Sequence, residues 1–133
     1  GDAYVVNWRR LMQVVRVFTG SDDQSHFEDI DISVPEGGFG GRLSRLIKGS
    51  GVIFREVDGN YDLDFHTAPR RQFVVNLFGS VDITVGDGTL RRLGPGEILL
   101  AEDLTGQGHK SQAVDGQLRS CLFIPIDDDE TVS

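Results

Sequence analysis

The chain carries three histidines, His26, His66 and His109, and histidine is both the commonest metal ligand and the side chain best suited to acid-base work near neutral pH. Whether they can act together depends on the faces they occupy. In Tyr61-Asp62-Leu63-Asp64-Phe65-His66, regular strand alternation puts Tyr61, Leu63 and Phe65 on one face and Asp62, Asp64 and His66 on the other. The polar face then looks out to water or lines a wet interior. Further on, Gln72, Val74, Asn76 and Phe78 share a face opposite the apolar Phe73, Val75 and Leu77. Gln72 and Asn76 therefore offer amides either to a ligand or to buried backbone groups. His26, Glu28, Ile30 and Ile32 share a face, and the two isoleucines mark that face as the inward one. Arg70 and Arg71 follow Pro69 at a strand entrance, where an arginine belongs to a solvated edge or binds a substrate carboxylate.

Short runs rich in Val, Ile, Phe and Leu must position these groups. They recur between Gly, Pro, Asn and Asp and predict strands at 13–18, 26–33, 51–57, 61–66, 72–78, 80–85, 88–92, 97–102, 109–114 and 118–124. That pattern belongs to an all-β barrel or sandwich. The clearest hairpin is Val81–Val85, Gly86-Asp87-Gly88 and Thr89–Leu93, and Gly94-Pro95-Gly96 supplies a second reversal. The glycine-rich segment from Pro35 to Gly51 lacks alternation and reads as a flexible loop ending in one helical turn. It is either a linker or a cover over a barrel mouth. The run at 37–41 lacks the Lys-Ser/Thr ending of a phosphate loop. Cys121, the only cysteine, lies in the largely apolar run Leu118–Ile126 and reads as an inert core thiol. The tail at 127–133 opens with Asp127-Asp128-Asp129-Glu130, a solvated and disordered end, and residues 1–11 precede Met12 as an extension.

The spacing of the candidate residues resembles the cupin family. Its first motif has two histidines one residue apart, then three or four residues, a glutamate, six residues and a glycine. Here His66 is followed by Ala68 at the second histidine position, by Gln72 at the glutamate position and by Gly79. The second motif ends in Pro-x-Gly, two residues, a histidine, three residues and an asparagine. Here Leu104-Thr105-Gly106 leads to His109, with Ala113 in place of the asparagine. The resemblance spans residues 50–125 and implies a cupin-type jelly-roll barrel with its site inside. It also implies a divalent metal (Zn, Mn, Fe or Ni) held by His66, His109 and Gln72. By their own positions in the chain, His26 on its inward face and Glu102 or Asp103 just before His109 are candidates to complete the set. A neutral Gln72 cannot offset the metal charge as a glutamate does, so such a site is weak.

The 133 residues suit one domain, and 38% hydrophobic with 26% charged residues is enough apolar material for one core. A formal net charge of -8 repels phosphate backbones and anionic lipid surfaces, which argues against nucleic-acid and membrane partners. No run approaches the length of a membrane span, so a soluble, cytoplasmic protein is expected. The Val- and aromatic-rich opening from Tyr4 to Phe18 calls for a partner surface, and a homodimer is expected. The functional expectation is a small-molecule enzyme of the lyase, isomerase or cyclase type, with His66 and His109 catalytic and Gln72, Asn76, Asp64 and Arg70 binding substrate. A non-catalytic binding module is the alternative. A metal-dependent dioxygenase is disfavoured, because oxygen activation needs a firmly held metal, and no Ser/His/Asp or Cys/His arrangement can be read from the chain.

Overall fold

β-branched and aromatic residues alternating between turn signals fold here into ten strands and, among the described residues, no helix. The computed structural model describes residues 12–35 and 37–133. The strands are β1 Gln13–Thr19, β2 Ser25–Asp31, β3 Ile53–Val57, β4 Asp62–His66 and β5 Gln72–Phe78. They continue with β6 Val81–Thr84, β7 Leu90–Leu93, β8 Ile98–Glu102, β9 His109–Ala113 and β10 Arg119–Pro125. Each falls within a residue or two of a predicted run. Of the apolar opening segment, residues 4–11 lie outside the described residues and the remainder enters β1. Among the described residues no helix is long and apolar enough to cross a membrane.

Two sheets result, one of six strands in the order β2-β1-β8-β5-β10-β3 and one of four in the order β4-β9-β6-β7. Every ladder is antiparallel except that of β1 with β8. Neighbours are mostly non-consecutive, so the chain crosses repeatedly from sheet to sheet, as in double-sheet all-β folds. The turns are those the sequence calls for. Gly88 takes φ +89° beyond the β6 arm, where Asp87 Oδ1 accepts from the Thr89 amide at 2.8 Å. After β7, Gly96 takes φ +82° and the Glu97 amide returns to the Gly94 carbonyl.

The six-stranded sheet is apolar on both faces. Val15, Val17, Leu99 and Ala101 point toward Val81, Ile83, Val85 and Leu93 of the smaller sheet and form the core between the two. On the opposite face Val14 and Leu100 pack with Ile32 and Ile126, joined by Ile47 and Val132. That second cluster corrects two expectations. The segment from Pro35 to Gly51 forms no helical turn among its described residues and does not cover the interior; Gly49 bridges to Ile126, and Ile47 lies on the outer face of the sheet. The acidic tail is docked rather than loose. Glu130 pairs with Arg45 at 3.1 Å and accepts from the Lys48 amide, while Arg71 donates to the Asp127 and Asp128 carbonyls. Like charges repel along the run, but the Glu130 carboxylate is met by Arg45 and the Lys48 amide, and the backbone at Asp127 and Asp128 by Arg71.

Candidate functional site

A cavity of about 350 Å³ lies between the sheets, at the small end of ligand pockets, which run to about 300–1,000 Å³. Its walls are largely apolar, from Val74, Leu99 and Ala101 on one sheet and Val81, Ile83 and Leu93 on the other. Polar groups gather at two places. His66, Gln72 and His109 stand at one, and Asn76, Arg55 and Arg119 at the other. Leu63 and Pro69 line the cavity yet remain exposed, so they stand at its mouth.

The His66 and His109 rings are 4.6 Å apart between centroids, at an interplanar angle of 56°. Simple alternation does not account for this, because it sets His66 opposite Leu63. The β4–β9 register explains it. Leu63 pairs with Ser111 and His66 with His109, so three steps along β4 match two along β9. The extra residue is a β-bulge, and it brings His66 to the cavity beside Leu63 while Asp64 stays exposed outside. Asp64 is therefore not part of the cavity wall. Its carbonyl instead accepts from His66 Nδ1 at 2.8 Å. A carbonyl only accepts, so Nδ1 of neutral His66 carries the hydrogen and Nε2 carries the lone pair.

His109 reaches the same state through a different partner. Its Nδ1 donates to Asp103 Oδ2 at 2.6 Å, and Ser25 Oγ donates to the same oxygen at 2.7 Å. Asp103 has 0% exposure, and its Oδ1 has no partner among the described residues. The carboxylate thus sits behind the imidazole and fixes its tautomer and orientation. Neither Nε2 has a protein partner among the described residues. Gly108 makes this packing possible: it takes φ +79°, and a Cβ there would lie 2.0 Å from the His66 carbonyl oxygen.

Other expected site residues fall elsewhere. His26 stands on the outer face of β2, 42% exposed by side chain and bonded to Asp22 at 2.9 Å, a contact that holds the Asp22 carboxyl below its ordinary value. The isoleucines that marked its face as inward belong to the second cluster on the outer side of the sheet. Arg70 is exposed and reaches the cavity wall only through Gln72, whose Oε1 accepts from Arg70 Nη1 at 2.8 Å. Glu102 is held by Arg16 and Arg71. Gln72 and Asn76, both buried, do line the cavity.

These positions bear on the metal. A firmly held divalent ion needs three or four convergent donors. Here there are two imidazoles, an amide oxygen already facing the Arg70 guanidinium, and a carboxylate bound to the back of His109. Among the described residues no three His, Cys, Asp or Glu side chains form a metal-holding group. The donor set does not fit a firmly held metal.

Two arginines escaped the sequence argument. Arg119 is 4% exposed and donates to Asn76 Oδ1 at 3.0 Å. Arg55 lies over the Tyr61 and Phe123 rings at 5.3 and 5.0 Å. The available signal was alternation: Arg119 shares a face with Cys121 and Phe123 in a largely apolar strand. Cys121 is buried, as expected.

No family model matches the chain, and no curated protein matches it. Among solved structures it is similar to protein NMB1881 from Neisseria meningitidis, at 18% identity and a TM-score of 0.46 over 61% of this chain and 79% of that one. It is similar also to the conserved SPY1581 protein of unknown function from Streptococcus pyogenes, at 19% identity and a TM-score of 0.47 over 66% of this chain and 71% of that one.

Proposed function

We propose that this is a cupin-type small-molecule enzyme of the lyase, isomerase or cyclase kind that moves protons inside its cavity. The observation that carries the proposal is the pair of facing imidazoles, each with Nδ1 tied down and Nε2 without a protein partner. His109, backed by the Asp103 carboxylate and Ser25, is the general base: its Nε2 takes a proton from a carbon next to an electron-withdrawing group, and the buried carboxylate stabilises the imidazolium that forms. His66, backed only by a carbonyl, is the weaker base. Its Nε2 receives that proton from the His109 imidazolium and delivers it to another atom of the substrate, which gives isomerisation, or to a departing group, which gives elimination. Both rings then return to the neutral state. Gln72 and Asn76 orient the substrate between apolar walls that exclude water.

The test is solvent exchange. Small carbonyl compounds with acidic C–H bonds are incubated with the protein in D2O, and deuterium uptake is followed by NMR. Uptake into a subset of them, lost in His109→Ala, is expected. Binding without uptake by any of them would leave the second reading, a non-catalytic binding module. That reading is favoured by the amide at Gln72 where the family motif has a carboxylate.

We also propose that the expected homodimer forms through β3. This strand is one of the two edges of the six-stranded sheet, the other being β2. It begins with Ile53-Phe54, preceded by Val52, all exposed, with Phe54 at 80%. An unpaired edge with consecutive exposed apolar residues is left open only at a cost in aggregation. Antiparallel pairing with the same edge of a second copy covers the backbone and the side chains together.

A further inference from the structure

The end of the cavity away from the histidines holds two guanidinium groups that no carboxylate meets. Arg16, Arg45, Arg71, Arg91 and Arg92 each have an acidic partner. Arg55 and Arg119 have none among the described residues, in a chain with 21 acidic and 13 basic residues. Arg42 and Arg70 also lack one but are exposed, whereas Arg55 is partly and Arg119 wholly buried. Leaving a buried cation unpaired is expensive. At Arg119 burial pushes the pKa below the ordinary arginine value, with Cys121 opposing the shift and nearby Arg55 adding to it. Tyr61, with a guanidinium carbon 5.3 Å away on Arg55 and 5.8 Å away on Arg119, offsets only part of that cost.

The remaining N–H groups of Arg119 are not walled off. The single buried side-chain polar atom lacking a partner among the described residues is Asp103 Oδ1. The nitrogens of Arg119 beyond Nη1 therefore border open space, and Arg119 lines the cavity. We propose that Arg119 and Arg55 form the recognition site for a substrate carboxylate, so that the substrate is a small organic acid with an apolar or aromatic body and its reacting carbon at His66 and His109. This rests on the acid-base reading of the histidines for the direction in which the acid lies.

The dimensions and chemistry agree with such a molecule. Asn76, bonded to Arg119, and Gln72, at the histidine end, are four residues apart on β5, about 13 Å along the strand. Between them the wall is apolar, with Val74, Leu93 and Leu99. A planar guanidinium suits the two oxygens of a carboxylate. A phosphate is less well served, since no helix N-terminus among the described residues supplies backbone donors.

Calorimetric titration with 3-phenylpropionate, its neutral amide 3-phenylpropionamide and phenyl phosphate tests the assignment. The acid is expected to bind about tenfold or more tightly than the amide and more tightly than the phosphate. The preference should disappear in Arg119→Met. Arg55→Met, at a partly exposed position, should weaken it as well and keeps the test valid if Arg119→Met does not fold. Equal binding of acid and amide, tighter binding of phenyl phosphate, no binding of the acid at millimolar concentration, or a preference unchanged in the arginine variants overturns the assignment. His66→Ala and His109→Ala should retain the acid preference. Acid preference without deuterium exchange thus refutes the proton-transfer function alone, and exchange without acid preference refutes the carboxylate site alone.

Discussion

At the scale of single residues, the two histidines differ in what stands behind them, and that difference sets separate expectations. Asp103→Asn keeps the shape of the side chain but removes the charge that orients and stabilises His109. It should lower exchange activity by on the order of 100-fold or more while acid binding persists, as checked by the D2O assay beside calorimetry. His66→Ala and His109→Ala should abolish exchange and leave the far-UV circular dichroism spectrum unchanged. Gly108 tests the scaffold rather than the chemistry. With its φ of +79° and the His66 backbone against it, Gly108→Ala should cost at least about 1 kcal/mol in denaturant unfolding and reduce exchange, because the adjoining His109 and the facing His66 move apart. Full activity and unchanged stability in this variant would show that the close approach is not needed.

At the scale of elements, the tail and the loop it clasps give a pH expectation. The Glu130 carboxyl lies below its ordinary value of 4.5, held there first by the Lys48 amide and then by Arg45. A depressed folded-state value means that its contribution is fully present above the unfolded value and fades as pH falls through the folded one. Protection of the 45–50 and 127–132 amides from hydrogen exchange should therefore drop at pH values under about 4.5, and Glu130→Gln should lack that acid-side change. Legibility in the sequence followed the same division. All ten strands were visible because alternation between Gly, Pro and Asn punctuation is a local signal. The face of His66 was not, since a bulge depends on the partner strand and leaves no mark in β4 itself. His26 was misplaced because a sheet with two apolar faces offers two directions that both look inward. The docked tail was missed because its partners, Arg45 and Arg71, are remote in sequence.

At the scale of the whole molecule, an acidic protein encloses a cavity with cationic groups at one end and imidazoles at the other. The convergence of His66 and His109 was anticipated by motif spacing alone, whereas alternation gave only the face of Arg119, and its place beside Asn76 follows from how β10 pairs with β5. The exposed edge at β3 makes the molecule's size in solution a further expectation. Sedimentation at micromolar concentration should show a dimer, and Phe54→Asp should give a monomer with unchanged secondary structure. A monomeric wild type would remove β3 as an interface.

The claim on which the account turns is that both imidazoles present a free Nε2 to the cavity. Long-range proton–nitrogen correlation spectra of 15N-histidine-labelled protein report the tautomer of each neutral ring and its response to 3-phenylpropionate. The account predicts that His66 and His109 are both Nδ1–H tautomers and that their Nε2 signals shift when the acid is added, with His26 unaffected. An Nε2–H tautomer at either His66 or His109, or signals that ignore a bound acid, would contradict it.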